Sequence, residues 1–185
     1  MAKPGCRIVQ EGGCVYLEKR ASTGMALSLL RNEAQALVVL AGLNISERIS
    51  FSQEGEDYVL RRAYVTGPRL DELPLRLWPS LLSQLKSVLL LVHDRGLIHG
   101  DLKPSNLIVN NMGLTPIDWE HALPIGELIE NMPFRAMSLG TSDPRLIWGK
   151  GYVLADLDLY SIAVMSNRAE KAHNPHKGLR HSELG

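Results

Sequence analysis

The chain has 185 residues, 45% of them hydrophobic, with 20 Lys+Arg balanced by 20 Asp+Glu. This length suits one compact domain or two small lobes sharing a cleft, and the apolar content supports a core and excludes general disorder. The balanced charge offers no bulk attraction to nucleic acid or to an acidic membrane surface, so neither is expected as a partner.

At the N-terminal end, "MAKPGCRIVQEGG" contains no apolar signal-peptide region. The segments "CRIVQ" and "CVYLEKRA" read as two strands around the Gly12-Gly13 turn. Cys6 and Cys14 flank that turn without metal-ligand spacing and are expected as free thiols. In "LSLLRNEAQALVVLAGL", Leu30, Ala34, Leu37 and Leu40 recur at helical spacing, and Gly42 is the stop. A second hairpin is expected in "RISFSQEGEDYVLRRAYVTG", and "GPRLDELP" reads as a connector. From Trp78 to Arg95 a helix is indicated by Leu81, Leu82, Leu85, Val88, Leu89 and Val92, with Pro79 at its start and Gly96 at its end. Its longest apolar run, Val88 to Val92, is too short to span a bilayer, so no membrane span is expected. The expected location is the cytoplasm, or a host cell reached without a cleaved signal peptide.

Next comes "HGDLKPSNLIVN", which crowds His99, Asp101, Lys103 and Asn106 into eight positions. The short strands "NLIVN" and "LTPID", a long loop to about Gly151 and the helix "DLDLYSIAVM" follow it. Residues 166–185 read as a polar tail. Strands with one helix first, then mostly helix, is an α+β order.

Taken together, "HGDLKPSN", the hairpin after it and "IDWE" resemble the protein-kinase family, whose catalytic loop reads H-R-D-L-K-P-x-N and whose metal-binding D-F-G follows a β-hairpin. The resemblance runs from about Cys14 to Met165. It implies a reduced two-lobe fold within residues 1–165, with a small β-rich N-lobe over about 1–67 carrying one helix. A truncated helical C-lobe would occupy about 68–165. It also implies ATP and Mg²⁺ as cofactors.

Carried over residue by residue, Asp101 resembles the base that accepts the substrate hydroxyl proton, and Lys103 the positive charge beside the transferring phosphoryl group. Asn106 and Asp118 resemble the Mg²⁺ ligands, hard oxygen donors on adjacent loops. Lys19 resembles the strand lysine that contacts nucleotide phosphates, and Glu33 its helix-borne ion-pair partner. A register placing Ser28 at the lysine position leaves too few residues before Glu33 to turn into a helix. In the same way His99 orders the loop, Trp119 fills the Phe position and Asp158 braces the catalytic-loop backbone. Thr141 in "GTSDPRL" matches the threonine that joins catalytic aspartate and lysine in serine/threonine kinases.

The departures are as informative. No G-x-G-x-x-G loop is present, so the first strand and most of the phosphate cover are missing or replaced. Gly100 replaces the arginine of H-R-D, which removes the partner of a phosphorylated activation loop. Glu120 stands where D-F-G has glycine, so a fixed, constitutively assembled site is expected. The reduced size resembles the minimal serine/threonine kinases that bacteria inject into eukaryotic hosts. That likeness implies a host protein substrate and allows an activating protein partner. Two readings stand beside it: a small-molecule phosphotransferase of the aminoglycoside or choline kinase type, and a pseudokinase acting by contact alone.

Overall fold

The computed structural model describes residues 5–45, 47–136 and 138–173. The fold is α+β, as the element order implied. Strands β1 (Gly5–Glu11), β2 (Cys14–Ala21), β3 (Arg48–Glu54) and β4 (Asp57–Ala63) form an antiparallel sheet in the order β1-β2-β4-β3. Helix α1 (Gly24–Val39) lies between β2 and β3 in the chain. Gly12 and Gly13 form a two-residue hairpin turn, both at positive φ, the conformation such turns require. Lys19 pairs with Cys6 at the opposite end of this hairpin, so the glycine turn lies away from the lysine. Both cysteines are free and exposed, with Cys6 opposite Lys19 and Cys14 opposite Glu11.

The two faces of the sheet follow from strand alternation. On the face covered by α1, Leu60 joins Leu30, Ala34, Leu37 and Leu40 in a core that also takes in Val92, Trp119 and Ala122 from the second half of the chain. On the outer face, Arg7, Glu18 and Arg61 stand in register across β1, β2 and β4. Glu18 is fully buried and accepts from Arg7 at 2.7 Å, Arg20 at 2.7 Å and Arg61 at 2.9 Å. Arg20 reaches on to Glu54 of β3 at 2.7 Å, so one ionic chain crosses all four strands.

The second half is built on α2 (Trp78–Asp94) and α4 (Asp156–His173). Leu82, Leu85, Leu89 and Val92 recur at spacings of three and four, which aligns them along one stripe. The first three pack with Ile162, Met165 and Ala169 of α4. Because Ala169 is buried there, α4 continues past Met165 to His173, and the polar tail expected from residue 166 begins inside a helix. Residues 174–185 lie outside the described residues. By length and composition, Leu75–Asp94, 20 residues, is the one helical stretch among the described residues apolar enough to cross a membrane. Its Leu82, Leu85 and Leu89 are core residues here.

Short strand pairs complete this half: β5 (Leu97–Ile98) with β8 (Leu123–Pro124), and β6 (Leu107–Asn110) with β7 (Gly113–Pro116). The stretch expected as loop up to Gly151 contains β8 and a short helix, α3 (Pro144–Trp148), capped by Asp143 accepting from the Arg145 N–H. Ile129, Leu146, Val153 and Leu157 pack there with Ile98 and Leu123.

Two stability predictions follow from this packing. Leu89 is fully buried and Leu90 is 60% exposed, so Leu89→Ala should cost about 2–5 kcal/mol and Leu90→Ala under about 0.5 kcal/mol in urea unfolding. For Glu18, burial raises the carboxyl pKa, but hydrogen bonds from Arg20, Arg7 and Arg61 outweigh it and bring the group to about 2 from its ordinary 4.5. Its contribution is therefore complete above pH 4.5 and is lost as pH falls toward 2. Glu18→Gln should flatten that acid limb of the stability curve, and an unchanged limb would remove Glu18 from the account.

Candidate active site

Lys19 projects from β2 onto Glu33 of α1, with Nζ 2.6 Å from Oε2, and onto Asp118, 2.9 Å from Oδ1. Lys19 and Glu33 are both buried, and such charges are tolerated only when paired. A second buried cation, Arg62 of β4, lies 3.2 Å from Glu33 Oε1 and 3.7 Å from Asp118 Oδ1. Glu120 adds a carboxylate 3.7 Å from Lys19. Burial lowers the Lys19 pKa, but the charges of Glu33, Asp118 and Glu120 more than reverse this and hold the ammonium above the ordinary lysine range. Burial pushes Asp118 up, but Lys19 and then Arg62 hold its carboxyl below its usual value.

Helix α1 is fixed in this position from two sides. Asn32 Nδ2 donates to the carbonyls of Glu120 at 3.1 Å and Ala122 at 2.9 Å. Arg95, at the end of α2, donates to the Val39 carbonyl at 3.0 Å, where the helix dipole favours a cation.

The loop between β5 and β6 is held by a carboxylate from α4. Asp158 accepts from the His99 N–H at 2.8 Å and the Gly100 N–H at 3.0 Å, and lies 3.1 Å from His93 Nε2. His99 Nε2 donates to the Ile117 carbonyl at 2.9 Å, which leaves Nδ1 to accept the Asp101 N–H at 3.2 Å. The His99 ring also lies against Trp119, with centroids 4.6 Å apart, and both side chains are fully buried. His99 and Trp119 thus order the loop through a hydrogen-bonded ring and a packed indole.

Asp101 is buried and its carboxylate has three side-chain partners. Lys103 Nζ donates at 2.6 Å, Asn106 Nδ2 at 3.1 Å and Ser138 Oγ at 2.6 Å. Lys103 also reaches Ser138 Oγ at 3.3 Å. The hydroxyl joining Asp101 and Lys103 therefore belongs to Ser138. Thr141, expected in that role, instead donates to the Ser138 carbonyl at 3.4 Å. The turn places three hydroxyls, Ser138, Thr141 and Ser142, within five residues, and its fold points the first one inward.

Asn106 and Asp118 flank the base of the β6/β7 hairpin, where the Ile117 N–H donates to the Asn106 carbonyl at 2.9 Å. Asp118 adopts φ 61° and ψ 64°, a left-handed conformation that aspartate tolerates better than most side chains. An amide and a carboxylate suit Mg²⁺, which takes few protein oxygens and completes its shell with phosphate and water. Among the described residues no group of three or more His, Cys, Asp or Glu forms a metal cage, so such an ion would depend on the nucleotide it accompanies.

Sequence reasoning missed Arg62, Asn32 and Ser138. Arg62 had a readable signal, because in "DYVLRR" it follows Tyr58 and Leu60 on the inward face of β4. The others carry no local pattern.

Gly100 is a steric requirement as well as a lost charge. It lies at φ +75°, and a Cβ there would come within 2.4 Å of the His121 carbonyl oxygen. Gly100→Ala and Gly100→Arg should each lower stability, by about 1–3 kcal/mol from backbone strain alone. Thermal unfolding of both variants checks this, and a wild-type Tm for Gly100→Arg would contradict it.

Residues 25–125 match the APH family, described as a phosphotransferase enzyme family. Over 133 residues the chain is 26% identical to serine/threonine-protein kinase D of Synechocystis sp., covering 69% of this chain and 26% of that protein. It is 32% identical over 103 residues to serine/threonine-protein kinase pkn2 of Myxococcus xanthus, covering 52% of this chain and 12% of that protein. It is 33% identical over 84 residues to maternal embryonic leucine zipper kinase of Xenopus laevis, covering 44% of this chain and 13% of that protein. The chain thus spans about a quarter or less of the length of these relatives. The family match covers more than half of the chain and includes Glu33, the 99–106 loop and Asp118, so this chain belongs to the phosphotransferase enzyme family, with a kinase-like fold.

Proposed function

We propose that the chain is an ATP- and Mg²⁺-dependent serine/threonine protein kinase that phosphorylates a protein hydroxyl. The observation that carries this reading is the Asp101 carboxylate. It is held between an ammonium and a hydroxyl, on a loop that also presents Asn106, with Asp118 following the adjacent β6/β7 hairpin.

Bound, the nucleotide supplies the phosphoryl group and Mg²⁺ offsets its charge. Asn106 and Asp118 would hold the ion, and Lys19 would contact the phosphates while Glu33 and Arg62 fix its position. Asp101 accepts the proton of the acceptor hydroxyl, at the 2.6–3.2 Å range that proton transfer needs. Lys103 is held by that same carboxylate, so its positive charge would stand beside the transferring phosphoryl group, where negative charge has to be stabilised. Asp158 and His99 keep the loop from moving as the carboxylate gains a proton. The Ser138 bridge supports the serine/threonine class, since a hydroxyl joining aspartate and lysine is the feature that the resemblance associates with it.

The family description supports a second acceptor class, small alcohols of the aminoglycoside or choline type. Residues 138–148 support the protein reading instead, since they supply the bridging hydroxyl and then α3.

Purified protein with γ-labelled ATP and Mg²⁺ should label casein and leave kanamycin and choline unlabelled. Asp101→Asn should slow labelling by about 10²- to 10⁴-fold, as loss of a general base does. Labelling confined to the small alcohols would overturn the protein-kinase reading. Full activity of Asp101→Asn would overturn the role of Asp101.

A further inference from the structure

Ser138 Oγ makes the contact with the Asp101 carboxylate that an acceptor hydroxyl would make. Its Oγ donates to Asp101 Oδ1 at 2.6 Å and accepts from Lys103 Nζ at 3.3 Å. A general base must lie within about 2.6–3.2 Å of the group it deprotonates, and this pair meets the requirement with no external substrate.

The way Ser138 is presented adds to this. Its backbone is already satisfied: the N–H donates to Ser142 Oγ at 3.1 Å, and the carbonyl accepts from the N–H groups of Thr141 at 3.1 Å and Ser142 at 2.9 Å. The side-chain hydroxyl is therefore not needed to close the turn. Ser138 is half-buried, and the next residue, Leu139, is 84% exposed, so the turn stands at the rim of the site and not in the core. Asn106, one of the two metal-compatible residues, touches the same Asp101 carboxylate at 3.1 Å. Hydroxyl, base, ammonium and metal donor are thus joined by consecutive contacts, and a tethered group so placed gains a large effective concentration over any free acceptor.

We propose that Ser138 is an intramolecular phosphorylation site of this chain, modified by its own active site from a nucleoside triphosphate with a divalent cation. The inference rests on the kinase reading above. In the step, a bond forms between Ser138 Oγ and the γ-phosphorus while the bond from that phosphorus to the β,γ-bridging oxygen breaks. The Oγ proton passes to Asp101 and the nucleoside diphosphate leaves. The resulting phosphoserine lies against Asp101 and is matched in part by Lys103, so it fills the acceptor position. Phosphate at Ser138 therefore limits transfer to other acceptors.

Full-length protein incubated with Mg²⁺ and ATP, followed by intact-mass and peptide mass spectrometry, tests the proposal. The expected result is one phosphate on Ser138, added at a first-order rate that does not change on dilution. Ser138→Thr should carry it on threonine. Asp101→Asn should stay bare at Ser138, both alone and mixed with active wild-type chain. Casein labelling should fall in step with Ser138 occupancy and return after phosphatase treatment. Asp101-dependent labelling of casein with Ser138 left bare would overturn the proposal while leaving the kinase reading in place, and would make Ser138 a positioning hydroxyl only. Modification of Asp101→Asn by wild-type chain would overturn the intramolecular step. Full casein activity of the modified chain would overturn the blockade. Absence of transfer to Ser138, casein, small alcohols and water alike would overturn the kinase reading and this proposal together.

Discussion

Two buried cations, Lys19 and Arg62, face two acids, Glu33 and Asp118, and the arrangement of the protein depends on keeping these four together. An unpaired charge at any of the three buried positions costs several kcal/mol, so β2, α1, β4 and the segment after β7 have to meet at one point. That meeting point is also the join between the halves. The core under the sheet includes Val92 and Trp119, and Asn32 and Arg95 tie α1 to segments of the second half. The site is thus assembled by contacts that also carry the fold.

The second half answers a different demand. Four polar residues crowd its central loop, and each is buried or half-buried, so each needs a fixed partner. Asp158 supplies two backbone N–H groups with acceptors, His99 supplies a third, and the Asp101 carboxylate collects Lys103, Asn106 and Ser138. Helix α4 can deliver Asp158 because Ile162, Met165 and Ala169 fasten it along α2. The reach of α4 past Met165 therefore bears on the active site, since its last buried turn helps set the height of the bracing carboxylate.

What was legible in the sequence follows from these demands. Strands, helices α1 and α2 and the α+β order appear as periodicity because burial of one face imposes it. The positions of Lys19, Glu33, Asp101, Asn106 and Asp118 appear through resemblance, since their spacing along the chain is tied to a shared arrangement of strands and turns. Ser138 did not appear, because three hydroxyls share one short turn and only its backbone bonding decides which of them faces Asp101. Arg62 was passed over because an arginine in a strand is commonly a surface charge, and recognising this one requires following alternation from Leu60. The end of α4 was missed for a similar reason: "SNRAEKAH" is polar, and the single buried Ala169 in it makes a weak stripe.

The His121 carbonyl lying over Gly100 also constrains how this lineage can change. Arginine in place of glycine before the catalytic aspartate is one residue of difference in sequence, but it requires a different backbone at the 119–121 turn as well. The arginine can be admitted only after the 119–121 turn has moved away, and that turn is held by Asn32 through the carbonyls of Glu120 and Ala122. The space above residue 100 is thus opened by the turn and not by residue 100 alone. Control by a loop phosphate paired to that arginine therefore requires a rearranged 119–121 turn as well as the arginine itself.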